Sequence, residues 1–178
     1  MKRFLIMICL AAVLIGSTVL GGVVRAEDQP PMTEAHIARI RANCNDTKST
    51  LQQLHATDAG LRVNRGQIYE SIATKLMAPL NGRLVANRLD SETFLTIADE
   101  YDQQLQAFRQ QYQQYDEAMT ATLRINCVNQ PVAFYDSVAD ARTKRKLTHE
   151  ATVRLHETIQ KYGLEVETFA KNFGVDKS

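Results

Sequence analysis

Glycine and cysteine are scarce in this chain, eight and three of its 178 residues. Three of the glycines (Gly16, Gly21 and Gly22) fall near the N-terminus. The rest of the chain therefore has little of the loop in which active sites are commonly built. There is no Gly-x-Ser-x-Gly elbow, no phosphate-cradling glycine loop and no cysteine–histidine pair in a nucleophile context. Strand signals are missing as well: no period-two alternation, no Asn-Gly hairpin between alternating apolar runs, and few β-branched clusters. Neither sign of charge dominates, with 21 basic residues against 20 acidic ones. No basic excess points to nucleic acid, and no acidic block points to a solvating tail. The expectation is a non-enzymatic protein with no cofactor, no metal and no nucleic-acid partner.

What is present begins with a leader. Lys2 and Arg3 precede an uncharged run of 21 residues from Phe4 to Val24, followed by Arg25-Ala26-Glu27. A basic start and an apolar stretch mark a segment handed to an export machine. A signal-peptide core is usually ~7–15 residues and a membrane-spanning helix needs ~20, so the length favours a retained transmembrane anchor. Gly16, Ser17, Gly21 and Gly22 weaken its second half, and Val24-Arg25-Ala26 is an acceptable cleavage site, which favours a signal peptide. Residues 1–26 are read as one or the other, with the membrane as partner through residues 4–24 if uncleaved. Lys2 and Arg3 stay on the cytoplasmic side, which places the remainder outside: secreted, periplasmic or anchored to the outer face of the cytoplasmic membrane. Cys9, near the start of the apolar run, reads as part of the leader and not as a lipidation site. Without Lys2, Arg3 and Arg25, 18 basic residues face 20 acidic ones.

The remaining cysteines, Cys44 and Cys127, are expected to form a disulfide, because an exported chain meets an oxidising compartment. Closing a loop of that length stabilises by about 4–5 kcal/mol if the effect is loop entropy alone. Residues 27–32, with Pro30-Pro31, read as a stiff spacer, residues 33–174 as one helical domain and residues 175–178 as a tail.

Apolar residues recur at helical spacing in three tracts. The first runs from about residue 33 to 85, with Thr33 as N-cap and Glu34 in the first turn. Its predicted seam is Ile37, Ile40, Cys44, Thr47, Leu51, Leu54, Leu61, Ile68 and Ile72, interrupted by Asp58 and Arg65. Gly60 is expected to loosen the helix and Pro79 to kink or break it. The second tract starts at Asp90 or Ser91. Its seam is Phe94, Ala98, Tyr101, Leu105, Phe108, Tyr112, Tyr115, Met119 and Leu123, with a glutamine-rich solvated face between. Asn129-Gln130-Pro131 connects to a third tract carrying Phe134, Val138, Ala141, Leu155, Ile159, Tyr162, Val166, Phe169 and Phe173. Gly163 is expected to interrupt it and Gly174 to end it. Short connections imply antiparallel neighbours, hence an all-α, elongated, coiled-coil-like antiparallel three-helix bundle. Folding back about residues 88–90 sets Cys127 opposite roughly residue 51, about two turns from Cys44, an offset that a break at Pro79 or Gly60 would absorb.

The same topology gathers a polar layer: His55 and Asp58 from the first tract, Tyr112, Tyr115 and Asp116 from the second, Arg142 and Arg145 from the third. Such a layer fixes register in coiled coils; it could also bind an anionic or polar ligand. Arg65 and Glu150 are a weaker second layer. The basic run Arg142-Thr143-Lys144-Arg145-Lys146 reads as a solvated helix face partly neutralised by acids of the second tract. His149 and His156 lie seven apart, about 10 Å along a helix axis, too far to share one zinc ion.

These features lead to an interaction or scaffold module at the cell envelope, with a protein partner or a second copy of itself. Two rival readings are a ligand-sensing bundle, which would have to act through another protein, and a holdase-like chaperone.

Overall fold

Stretches of good helix formers with apolar side chains at every third or fourth position can hide those side chains only by packing helix against helix. The computed structural model describes residues 32–173. The expected leader, including Cys9, the expected spacer up to residue 31, the expected tail and the predicted stop at Gly174 lie outside the described residues. Among the described residues the regular elements are all helical: α1 Glu34–Ala42, α2 Cys44–Ser71, a π-helical turn Ile72–Met77, α3 Ala78–Ala86, α4 Glu92–Arg124 and α5 Pro131–Asn172. No helix among them is long and apolar enough to cross a membrane. The elements from α1 to α3 follow one another almost without interruption and are called the first arm below.

Local chemistry accounts for most of the boundaries. Thr33 caps α1, its hydroxyl accepting the His36 N–H at 3.4 Å, with Glu34 at the positive end of the helix dipole. Asn43 bends the arm, turning its side-chain amide back onto the Arg39 carbonyl at 2.9 Å. Asp90 accepts the Glu92 N–H at 3.4 Å at the start of α4. In the last connector the Asn126 side chain accepts the N–H groups of Val128 and Asn129, both at 3.1 Å, and Pro131 opens α5.

The first arm runs antiparallel to α4 and in the same direction as α5. Asn81 meets Phe94 near the α3–α4 turn, Tyr69 meets Tyr101, Asp58 meets Tyr115, and Cys44 is bonded to Cys127 with its Cα 5.6 Å away. From Asn81–Phe94 to Cys44–Cys127 the arm uses 37 residues where the opposing segment uses 33. Part of the surplus reflects the non-helical residues after Arg124, which advance further per residue than a helix does, and the π-helical turn beside Pro79 takes up about one residue more. Pro79 has no N–H for the carbonyl four residues back, and its ring crowds that carbonyl. The Ala78 N–H reaches back five residues to the Ala73 carbonyl, which widens the turn. Tyrosines secure both ends: Tyr101 donates to the Tyr69 carbonyl at 2.9 Å, and Tyr162 donates to the Asn81 side-chain oxygen at 2.7 Å with the Met77 carbonyl 3.4 Å away.

The core lies in three clusters. The largest joins Tyr69, Met77, Leu84, Phe94, Tyr101 and Leu155; a second surrounds Tyr115, Met119 and Ala141; the third holds the disulfide and Phe134. The α4 seam is buried or partly buried at every predicted position, and Ile97, Ala118 and Thr122 join it.

Four expectations need correction. Leu61 and Ile68 are exposed (45 % and 57 %), because the inward face of α2 runs through Asp58, Arg62 and Tyr69. Val166 and Phe173 are exposed as well. Gly60 sits inside an unbroken α2, and Gly163 inside an unbroken α5. A glycine in a helix costs propensity without breaking it when the flanking turns are held by packing. A Cβ added at Gly163 would meet nothing within 4 Å. Gly163→Ala is therefore expected to raise stability by roughly 0.5–1 kcal/mol, read from urea denaturation; a loss of stability would show that the helix is strained there.

Candidate functional site

Halfway along the first arm the heptad-like pattern places charged residues where apolar ones would face α4 and α5. Asp58 is the centre of the resulting layer. Its carboxylate receives a two-pronged contact from Arg145 of α5, Nε to Oδ2 at 2.7 Å and Nη2 to Oδ1 at 3.1 Å. The Tyr115 hydroxyl of α4 donates to Oδ2 at 2.8 Å. One turn earlier, on the same face of α2, His55 Nε2 lies 2.7 Å from Asp116 Oδ1. The Tyr112 ring packs edge-on against Tyr115, centroids 6.0 Å apart, and the Arg62 guanidinium sits 5.2 Å from its centre.

Of the residues expected in this layer, His55, Asp58, Tyr115, Asp116 and Arg145 are in direct contact and Tyr112 packs beside them. Arg142 does not take part: it is exposed on α5, one turn before Arg145. The expected second layer does not form. Glu150 pairs along its own helix with Lys146 at 3.7 Å, and Arg65 lies beside Tyr69. The basic run is partly neutralised, but by α5 itself and by the first arm. Lys144 pairs with Asp140 at 2.8 Å and Arg145 with Asp58; the acids do not come from α4.

Burial pushes the Asp58 pKa up, but the hydrogen bonds from Arg145 and Tyr115 and the charges of Arg145 and His55 together outweigh it, and the carboxyl titrates below its ordinary value. Burial first, and the adjoining Asp58 carboxylate second, push the Tyr115 hydroxyl well above the usual range for a phenol. The carboxylate stays ionised and the phenol protonated across the neutral range, so neither is poised to transfer a proton at physiological pH. Their chemistry is that of a fixed anion held by fixed donors.

Beside the layer the arm stands away from its neighbours. It contributes Asp58, Leu61, Arg62 and Arg65 to the space between them. The result is an open cleft of about 260 Å³ next to Asp58 and Arg145. Phe108 and Tyr112 line it from α4, Arg62 and Arg65 from α2, and His149 and Thr152 from α5. The sequence reading missed Arg62, His149 and Thr152 as lining residues. Counting four and seven on from Asp58 would have found Arg62 and Arg65. His149 and Thr152 follow only from the α2–α5 pairing. Among the described residues no group of three or more His, Cys, Asp and Glu side chains is placed to hold a metal ion.

Because its folded pKa is depressed, Asp58 contributes stability that is fully present above its unfolded pKa and lost as pH falls through the lower, folded value. Asp58→Asn should therefore lessen the loss of stability on acidification below about pH 4, seen in urea midpoints measured across the acid range. Parallel acid profiles for the two proteins would show that the ion pair does not form in solution.

No protein-family model matches this chain, no curated protein is detectably similar to it, and no solved structure matches it.

Proposed function

We propose that this protein is a non-enzymatic interaction or scaffold module working outside the cytoplasm, at the cell envelope, as an elongated antiparallel three-helix bundle that presents one helical face to a protein partner. The observation that carries this reading is the outer face of the first arm. Leu61, Ile68 and Leu76 are 45 %, 57 % and 62 % exposed, and they follow one another at seven and eight residues. Ile68, Ile72 and Leu76 border a shallow groove with Asn64, Gln67, Ser71 and Lys75 at its edges. Single exposed apolar residues are ordinary on protein surfaces, but a row at seam spacing with a polar margin is the pattern of a helix-docking face. An amphipathic helix of a partner protein fits such a row as the second strand of a coiled coil. The leader and the Cys44–Cys127 bond support placement in an oxidising compartment outside the cytoplasm.

A photo-crosslinking amino acid at position 68, followed by mass spectrometry on intact cells, tests the reading. Discrete adducts are expected, to a partner or to a second copy of the chain, and Leu76→Glu should abolish them. Leu76 is exposed, so that substitution should leave stability within about 0.5 kcal/mol. An uncrosslinked monomer, or adducts indifferent to Leu76→Glu, would contradict it.

A further inference from the structure

The cleft beside Asp58 has a charge imbalance that the fold leaves unresolved. Arg62, Arg65 and Arg145 all line it, and Asp58 is its only carboxylate. Both Asp58 oxygens are engaged by Arg145, and one of them also by Tyr115. Among the described residues neither Arg62 nor Arg65 has a carboxylate within ion-pair distance. Two like charges three residues apart on one helix repel, and no described carboxylate is paired with either to offset that. Arg62 is nevertheless held in place, its guanidinium on the Tyr112 ring at 5.2 Å, and Arg65 rests beside the Tyr69 hydroxyl. Two positioned planar donors of this kind suit a carboxylate, which accepts their N–H groups in pairs.

The other walls are not those of a simple ion site. Phe108 and Leu61 give apolar surface, Tyr112 an aromatic one, and Thr152 and His149 close the α5 side. At about 260 Å³ the space lies just below the range of small-molecule pockets, about 300–1,000 Å³, so it suits a ligand of one or two rings. We infer that this cleft is a binding site for a small, flat, singly charged organic anion, an aromatic carboxylate, with Arg62 and Arg65 taking the carboxylate and Phe108, Tyr112 and Leu61 taking the ring. The assignment can hold without the partner-docking reading: the two surfaces meet at Leu61, but the anion is held by Arg62 and Arg65, and the docking groove runs past Ile68 and Leu76.

Titration of 2-naphthoate into the purified full-length chain with its disulfide intact, followed by calorimetry and by NMR of the arginine side chains, tests it. Saturable one-to-one binding is expected, with the Arg62 and Arg65 Nε resonances shifting. In the double variant R62Q/R65Q the affinity should fall by about tenfold or more, the loss that goes with removing charged hydrogen bonds. Two comparison probes keep the test decisive even if that variant fails to fold. 2-Naphthylmethylammonium has the ring with the opposite charge, and inorganic phosphate has the charge without the ring; both should bind far more weakly. No saturable binding of 2-naphthoate, equal binding of the ammonium compound, equal binding of phosphate, or an unchanged affinity in a folded R62Q/R65Q would each overturn the inference.

Discussion

A carboxylate placed between helices is costly unless donors from its neighbours reach it, and those donors come into range in one alignment only. Asp58 meets that condition through Arg145 on α5 and Tyr115 on α4. Sliding the first arm by one residue would swing the carboxylate off the inward face and leave a buried phenol without its acceptor. The middle of the arm has no apolar seam to align it: Leu61 and Ile68 are exposed, and the positions in contact with α4 are Asp58 and Arg62. The polar contact therefore does there what apolar packing does elsewhere.

The two ends of the arm are fixed by other means. At one end the Cys44–Cys127 bond ties the start of α2 to the chain just past α4. At the other the short turn between α3 and α4 sets the fold-back. Between these constraints the arm is not one regular helix: it widens into a π-helical turn just before Pro79, whose missing N–H weakens the helix there. The π-helical turn lies between two tyrosine contacts, with the Tyr101 hydroxyl on the Tyr69 carbonyl before it and the Tyr162 hydroxyl on the Asn81 side chain after it. The cleft lies beside the same layer, where the arm carries Arg62 and Arg65 rather than apolar side chains that would pack against Phe108 and Tyr112.

This also explains how much was legible in the sequence. The all-α character and the α4 seam could be read directly, because Phe94, Tyr101, Phe108 and Tyr115 mark one face with large side chains at steps of seven. The cysteine pair was readable from the export-type N-terminus and the two cysteines beyond it, and a break near Pro79 from proline chemistry. Most of the layer around Asp58 followed from register alone, apart from Arg142, which register places one turn too early to reach it. The seam of α2 between residues 55 and 69 was not legible. A reading that follows apolar residues selects Leu61 and Ile68, while the inward face there is charged and carries no hydrophobic mark. Gly60 and Gly163 misled for a related reason: local propensity predicts interruptions that packing on both sides overrides. His149 and Thr152 join the cleft only through pairing between distant segments, which periodicity within one helix does not reveal.

The central claim is that a polar contact, and not an apolar seam, aligns the middle of the first arm. A double-mutant cycle on Asp58→Ala and Arg145→Ala, measured by urea denaturation at neutral pH, addresses it most directly. Arg145 is half exposed and solvent screens part of the attraction. Even so, the two-pronged contact to a largely buried carboxylate predicts a coupling energy on the order of 1 kcal/mol. Additive effects, with no coupling between the two positions, would show that the arms are aligned by something else.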